Sequence, residues 1–193
     1  MTRSRPLTLA DLSAADREHL DLCVHEASHA VVGVALGAQL HRAVVAGGRV
    51  TGMHGLTRFE PDDFPEHRNA EVAYAGPYGE AKFGAGGRCP SQRQVFTALR
   101  TTGHDDDRVL IASAPADGWH TGRDVVPLLE RCWPAIIRTA QKLLAHGEVR
   151  HADVLAALDI TDGGGHTSAQ LACLRSGLRS VPPMTAKKKR VPA

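Results

Sequence analysis

Two histidines and a glutamate near the start of the chain have the types and spacing that bind a metal ion and activate water. His25 and His29 are four residues apart, and Glu26 follows the first of them, in the pattern HExxH. Residues four apart on an α-helix project from one side, so both imidazoles can bind one zinc ion. Glu26 then lies where it can hold a zinc-bound water and take its proton, which is the chemistry of amide hydrolysis.

The residues around this motif predict the helix that the chemistry requires. From Asp11 or Asp16 to about Leu36, apolar residues recur at three- and four-residue spacing, and Gly37 follows as a stop signal. The residues that flank the histidines are small and aliphatic, which favours a buried helix. The motif therefore falls on a predicted buried helix and not in a loop.

The rest of the chain predicts a mainly helical α+β fold with a small β-sheet. Valines and glycines between residues 40 and 59 indicate short strands with tight turns, and residues 60–65 indicate a loop. Further helices are predicted over residues 66–83, 91–100, 108–114, 123–145 and 149–160. We expect a flexible leader, a single domain and a disordered basic tail, at residues 1–10, 11–160 and 161–193.

The composition is typical of one globular domain and argues against several classes of function. The chain has 193 residues, of which 42% are hydrophobic and 23% charged, and its net charge is +2. This balance does not indicate a nucleic-acid-binding face, and the basic run at residues 187–190 is interpreted as a solvated tail. No apolar stretch approaches the ~18 residues that a membrane span needs, so we expect no membrane span.

The sequence also lacks the signals of ATP use and of a cysteine-bound metal. No segment has the pattern G-x-x-x-x-G-K-[ST], so we expect no ATP binding. The four cysteines are scattered and form no CxxC pair. This spacing favours reduced thiols and a cytoplasmic location over a cysteine zinc site.

A catalytic zinc ion usually has three protein ligands, and the third is not obvious from the motif. The extension HExxHxxGxxH would need glycine and histidine where the chain has Val32 and Ala35, which excludes the metzincin arrangement. The candidates that remain are acidic residues further along the chain: Glu60, Glu66, Glu71, Glu80, Asp105, Asp106 and Asp107.

Several segments, taken in order, resemble the zinc peptidase domain of the FtsH-type membrane proteases, without their ATPase module or transmembrane helices. Residues 25–32 (HEASHAVV) are similar to the family's HEAGHAVV helix, with Ser28 in place of its glycine. Similar segments follow at residues 50–54 and 61–63 (a glycine-bearing strand and an acidic loop), 75–84 (AGRAAEELVFG, one residue shorter here), 101–107 (TTGAxND) and 136–149 (the closing helix). The resemblance covers roughly residues 16–160.

The resemblance implies that the third zinc ligand is an aspartate at the start of the helix after the Thr-Thr-Gly turn. An ungapped match from Gly103 gives Asp107, whereas matching the following Arg-Val step gives Asp105. Asp106 lies between them, and the turns that follow it carry an apolar face. We take Asp106 as the predicted ligand and keep the other two open, together with the possibility that all three aspartates only cap the helix.

The resemblance has further implications for the site. It implies that Glu80 hydrogen-bonds a ligand histidine, and that a substrate peptide pairs with the edge of the strand near Gly52. With the motif, it implies a stand-alone zinc metallopeptidase that cleaves unfolded segments or a partner protein without ATP, with Glu26 as general base. The alternative is an inactive domain that binds zinc or a protein partner, which Ser28 and the shortened segment around Glu80 favour.

Overall fold

The computed structural model describes residues 11–48, 52–61, 68–114 and 121–184. Helices predominate in this part of the chain, and a small antiparallel sheet accompanies them, which confirms the predicted mainly helical α+β class. The helices are α1 (Ala14–Ala35), α2 (Asn69–Gly84), α3 (Gln92–Thr101), α4 (His104–Ser113), α5 (Val126–His146), α6 (His151–Leu158) and α7 (Ala169–Ser176), with a 3₁₀ helix over Thr121–Val125. The strands are β1 (Leu40–Gly48), β2 (Gly52–Phe59) and β3 (Glu148–Val149).

Helix α1 is the central element, and it packs against α2, α5 and the sheet. The side chain of Ser13 caps its first turn by accepting a hydrogen bond from the backbone N–H of Asp16 at 3.1 Å. Every residue from Cys23 to Ala35 is buried. A helix surrounded on all sides needs small and apolar residues around its circumference, and in this stretch only the side that carries His25, Glu26, Ser28 and His29 is polar.

Close packing between α1 and α2 depends on glycines. A Cβ atom added at Gly79 would collide with the side chain of Ser28, and one added at Gly76 would collide with the rings of His25 and His29. Pro77 lies inside α2 and interrupts its hydrogen-bonding pattern, because proline has no backbone N–H to donate. These positions bring α2 directly onto the histidine-bearing side of α1.

The sheet has the order β2-β1-β3, with both pairings antiparallel, so β2 is an edge strand among the residues that the structure describes. Val45 of β1 is opposite Gly55 of β2, and its backbone N–H donates to the carbonyl of Gly147 at 2.9 Å, on the β3 side. Because Val45 directs its backbone groups towards β3, Val45 and Gly55 form a pair without hydrogen bonds between them. In such a pair Gly55 directs its own backbone groups away from β1. The backbone groups of Gly55 and Thr57 therefore face the side of β2 that has no partner strand in the described part of the chain.

Residues 161–184 differ from the predicted disordered tail, because they contain helix α7. Leu171 and Leu174 of this helix are buried, and Arg131 of α5 donates to the carbonyls of Leu174 and Arg175 at 3.1 and 2.7 Å. The prediction of disorder is wrong for this part of the tail, since two leucines in a short helix are enough to anchor it although the surrounding composition is polar. The predicted leader at residues 1–10 and the end of the tail at residues 185–193 lie outside the described residues.

Candidate metal centre

His25 and His29 lie one turn apart on α1, and their Nε2 atoms are 3.0 Å apart. Both residues are buried, with 4% and 8% of their surface exposed. The Nδ1 atom of His29 lies 2.7 Å from the carbonyl oxygen of Val72, and that of His25 lies 3.1 Å from a carboxylate oxygen of Glu80. A carbonyl and a carboxylate accept hydrogen bonds, so each Nδ1 is the donor and each Nε2 directs a lone pair into the shared space.

Asp106 of α4 lies on the opposite side of that space. Its carboxylate oxygens lie 3.1 Å from Nε2 of His25 and 3.4 Å from Nε2 of His29. The three donor atoms all lie within 4.8 Å of one another. With neutral rings, two nitrogen lone pairs and a carboxylate cannot satisfy one another by hydrogen bonding, whereas added protons or a metal ion can interact with all three. The three residues therefore form a group that could hold a metal ion.

The three aspartates point in different directions around α4, and this distinguishes Asp106 from its two neighbours. Helix α4 begins at His104, earlier than the predicted start at residue 108, so all three aspartates lie within its first turn. The side chain of Asp105 is 94% exposed and pairs with Arg108 on the surface at 2.9 Å. Only Asp106 among the three belongs to the group formed with the histidines.

The other acidic candidates lie elsewhere or act differently. Glu60 pairs with His41 at 2.8 Å and Glu71 with Arg68 at 3.1 Å, both away from the histidine nitrogens that face Asp106. Glu80 contacts the Nδ1 side of His25, where the resemblance implied a hydrogen bond to a ligand histidine. Glu66 lies outside the described residues.

The electrostatics of the group favour positive charge. Burial by itself lowers the pKa of His25, but the hydrogen bonds that its ring donates to the carboxylates of Asp106 and Glu80 outweigh it and raise the pKa to about 10. Burial also lowers the pKa of His29, but the negative charge of Asp106 outweighs burial. The pKa of His29 is therefore raised. Burial raises the pKa of Asp106, yet the two histidines hold it below its ordinary value. The pocket thus stabilises a cation, whether bound protons or a metal ion.

Glu26 lies beside His25 and is held by the edge strand. The hydroxyl of Thr57 lies 2.6 Å from Oε2 of Glu26 and 3.2 Å from its backbone carbonyl. The other carboxylate oxygen lies directly over Gly55, where an added Cβ atom would collide with it. Strand β2 therefore fixes one oxygen of the carboxylate with a hydroxyl and leaves room for the second with a glycine.

The two Nε2 atoms have space for a small ion beside them because the neighbouring residue of α2, Gly76, has no side chain. Gly76 lies so close to both histidine rings that any larger residue would fill the space next to their nitrogens. Gly103 at the start of α4 lies close to Asp106 and to Pro77. Sequence spacing gave no signal for Gly76 or Thr57, since their roles depend on how α2 and β2 pack against α1.

The group opens into a cleft of about 620 Å³ between α1, β2, α2 and α4. Acidic residues and apolar residues line it, among them Glu26, Asp105, Leu56, Phe59, Val72 and Val109. Residues of β2 from Gly55 to Phe59 run along one side of this cleft. In the described part of the chain, no helix is both long enough and apolar enough to cross a membrane.

Comparison of the sequence with models of known protein families and with curated protein sequences gives no match. Membership of the FtsH-type peptidase family stays a prediction from the motifs. What the geometry adds is independent of that family: two buried histidines and a partly buried aspartate that could hold a metal ion, with a carboxylate, Glu26, at their side.

Proposed function

We propose that this protein is a zinc-dependent metallopeptidase that hydrolyses peptide bonds without ATP. In this proposal His25, His29 and Asp106 are the zinc ligands and Glu26 is the general base. The observation that carries it is the convergence of two Nε2 lone pairs and one carboxylate within 4.8 Å, with Glu26 adjacent to the first ligand. Two histidine nitrogens and one carboxylate form a donor set used by catalytic zinc sites, which keep a further position open.

The residues around the ion have separate tasks in this chemistry. Bound zinc would polarise the scissile carbonyl and lower the pKa of water to about 7. Glu26 accepts the proton of the attacking water on the oxygen over Gly55, while Thr57 holds the other oxygen. The same carboxylate then delivers the proton to the leaving amine, which makes departure of the amine possible.

The edge strand supports an extended peptide as the substrate. The backbone groups of Gly55 and Thr57 face outwards at the cleft, so a peptide in β-conformation can pair with them beside Glu26. Apolar side chains along the cleft would accommodate apolar side chains of that peptide. A chain segment must be extended to bind this way, so the proposed substrates are unfolded segments or an exposed strand of one partner protein.

The test compares the wild-type protein with Glu26→Gln in zinc analysis and in cleavage of casein, an unfolded protein. We expect about one zinc ion per chain in both proteins, and a rate of cleavage that falls at least about 10²-fold in the variant, since it has lost a general base. The variant keeps the shape of the side chain and can still accept the hydrogen bond from Thr57.

Each outcome of this test has a distinct meaning. Stoichiometric zinc without cleavage of any unfolded protein would favour the alternative of an inactive zinc-binding module. Equal cleavage by both proteins would show that Glu26 is not the base. A wild-type protein that binds no zinc would contradict both the peptidase and the zinc-binding module.

A further inference from the structure

One carboxylate oxygen of Glu80 accepts two hydrogen bonds from different elements. Oε2 lies 3.1 Å from Nδ1 of His25 and 2.6 Å from the hydroxyl of Thr102. The side chain of Glu80 is 15% exposed, and it also lies near the carboxyl of Asp21. A hydroxyl that donates to a carboxylate at this distance forms a strong, charge-assisted hydrogen bond.

Thr102 follows the last residue of α3 and precedes Gly103, from which α4 starts. Asp106, in the first turn of α4, lies on the Nε2 side of His25, whereas Thr102 acts on the Nδ1 side through Glu80. The segment from Thr102 to Asp106 therefore acts on both nitrogens of one imidazole ring, directly at Nε2 and through Glu80 at Nδ1. This arrangement couples the orientation of the ring to the position of a single turn.

The hydroxyl of Thr102 has a second acceptor within reach, which is the carbonyl of Ala98 at 3.0 Å. A hydroxyl has one proton, and the ionised carboxylate is both the closer and the stronger acceptor. Thr101, the residue before it, differs in this respect. Its hydroxyl lies 3.0 Å from the carbonyl of Thr97 and 3.3 Å from that of Ala98, and both are acceptors of its own helix.

We propose that Thr102 is a positioning residue of the metal centre, which acts through Glu80 on His25. Its hydroxyl fixes the carboxylate of Glu80, the carboxylate fixes the ring N–H of His25, and the ring then directs Nε2 at the ion. The inference rests on the proposed metal site, and it adds a residue outside the ligand set that sets metal affinity. Partners of this kind typically change metal affinity by about 10- to 100-fold when they are removed.

The test uses Thr102→Val, which keeps the shape but removes the hydroxyl, and Thr102→Ser, which keeps the hydroxyl. Thr101→Val is the matched control on the neighbouring residue. The dissociation constant of Zn²⁺ is measured by competition with a chromophoric chelator, and Co²⁺ replaces Zn²⁺ for visible absorption spectra. We expect Thr102→Val to weaken Zn²⁺ binding about tenfold and to change the Co²⁺ bands. Thr102→Ser and Thr101→Val should stay close to wild type in both measurements.

A double-mutant cycle with Glu80→Gln tests whether Thr102 acts through Glu80. The effect of Thr102→Val on the Zn²⁺ dissociation constant should shrink to about twofold or less in that background, since the intermediary carboxylate has been changed. A merely structural role for Thr102 would instead add the same loss in both backgrounds. Such additivity would overturn the proposal even if the single variant binds Zn²⁺ weakly.

The remaining outcomes separate this inference from the proposed function. Normal Zn²⁺ affinity and unchanged Co²⁺ bands in Thr102→Val, with metal binding by the wild type, would overturn the role of Thr102 and leave the peptidase proposal intact. Equal losses in Thr101→Val and Thr102→Val would also overturn it. Absence of metal binding by the wild-type protein would overturn both proposals.

Discussion

In each histidine of the candidate site, Nδ1 carries a proton and donates it to an acceptor on the side away from the other histidine. The carbonyl of Val72 and the carboxylate of Glu80 both require a donor at Nδ1. In the neutral rings both Nε2 lone pairs point into the shared space, and a metal ion that binds there takes the place of the protons that Asp106 favours. This arrangement depends on the hydrogen-bond partners of the ring as much as on the histidines themselves.

The three neighbouring aspartates allow a direct test of the third ligand. We expect Asp106→Asn to weaken Zn²⁺ binding by more than about 100-fold, because it removes a charged ligand and not an outer partner. Asp105→Asn and Asp107→Asn are matched controls in the same turn and should change the affinity about threefold or less. Competition with a chromophoric chelator gives all three values. Similar small effects at all three positions would show that none of them is a ligand.

A titrating carboxyl on α1 predicts a pH-dependent stability. Burial and, next, the nearby charge of Glu80 raise the pKa of Asp21 to about 6, although Arg17 opposes the shift. A carboxyl with a raised pKa in the folded state stabilises the fold below its ordinary pKa, and that contribution is lost as the pH rises through about 6. At neutral pH the ionised Asp21 is therefore unfavourable for folding.

Asp21→Asn should raise the free energy of unfolding by about 1 kcal/mol at pH 7.5, a value reduced for solvent screening of this half-buried group. The gain should disappear near pH 3.5, where Asp21 of the wild type is protonated in the folded protein. Urea denaturation at the two pH values measures the difference. Glu18→Gln, at an exposed position of the same helix, is the control and should give no gain at either pH.

At the scale of elements, the packing of α1 against α2 depends on the matching sizes of Ser28 and Gly79. The hydroxyl of Ser28 donates to the carbonyl of Val24 at 2.7 Å and occupies the space that a side chain at residue 79 would need. Ser28 stands where the FtsH-like motif has glycine, and Gly79 leaves the room that the extra atoms require. The two positions are therefore expected to depend on each other.

A double-mutant cycle tests this dependence. Gly79→Ala should lower the free energy of unfolding by about 1–3 kcal/mol, because the new methyl group would overlap the side chain of Ser28. Adding Ser28→Gly should recover at least about 1 kcal/mol of that loss. Gly84→Ala, on the same helix and with open space around it, is the matched control and should be neutral or slightly stabilising. Full additivity of the two changes would contradict the fit.

The elements also show where sequence reasoning reaches its limit. Contiguous patterns, such as the motif on α1, could be interpreted from spacing alone because the helix itself brings the residues together. The choice among three aspartates could not, since it depends on α4 starting at His104 and on how α4 packs against α2. Thr57 and Gly76 were missed for the same reason. Helix α7 was missed because its anchor is two leucines within a polar segment.

At the scale of the whole molecule, the proposed ligands come from parts of the protein that are anchored very differently. Helix α1 is buried along most of its length, whereas α4 buries a single residue, Leu110. Few buried contacts hold α4 against the body of the protein, so local opening of this helix is expected to need little free energy. A metal ion bound by Asp106 would add a strong link at this weak point.

Removal of the metal should therefore loosen α4 and leave α1 unchanged. We expect hydrogen exchange of the α4 amides to become at least about tenfold faster after chelation, since the ion contributes to holding that helix. The buried amides of α1 between Cys23 and Ala35 are the internal control. Hydrogen exchange with mass spectrometry compares the zinc-bound and chelated protein. Equal acceleration in both helices would indicate global destabilisation instead.

The distance along the chain between the proposed ligands has a final consequence. His25 and Asp106 are 81 residues apart in sequence, so an ion bound by both would close a long loop, as a disulfide does. For cross-links that close loops of about 100 residues, the chain-entropy treatment gives about 4–5 kcal/mol of stabilisation. Such an ion would also join the two pieces of a chain that had been cut between the ligands. A break in the backbone between His29 and Asp106 would leave two of the proposed ligands, His25 and His29, on one side of the cut and Asp106 on the other.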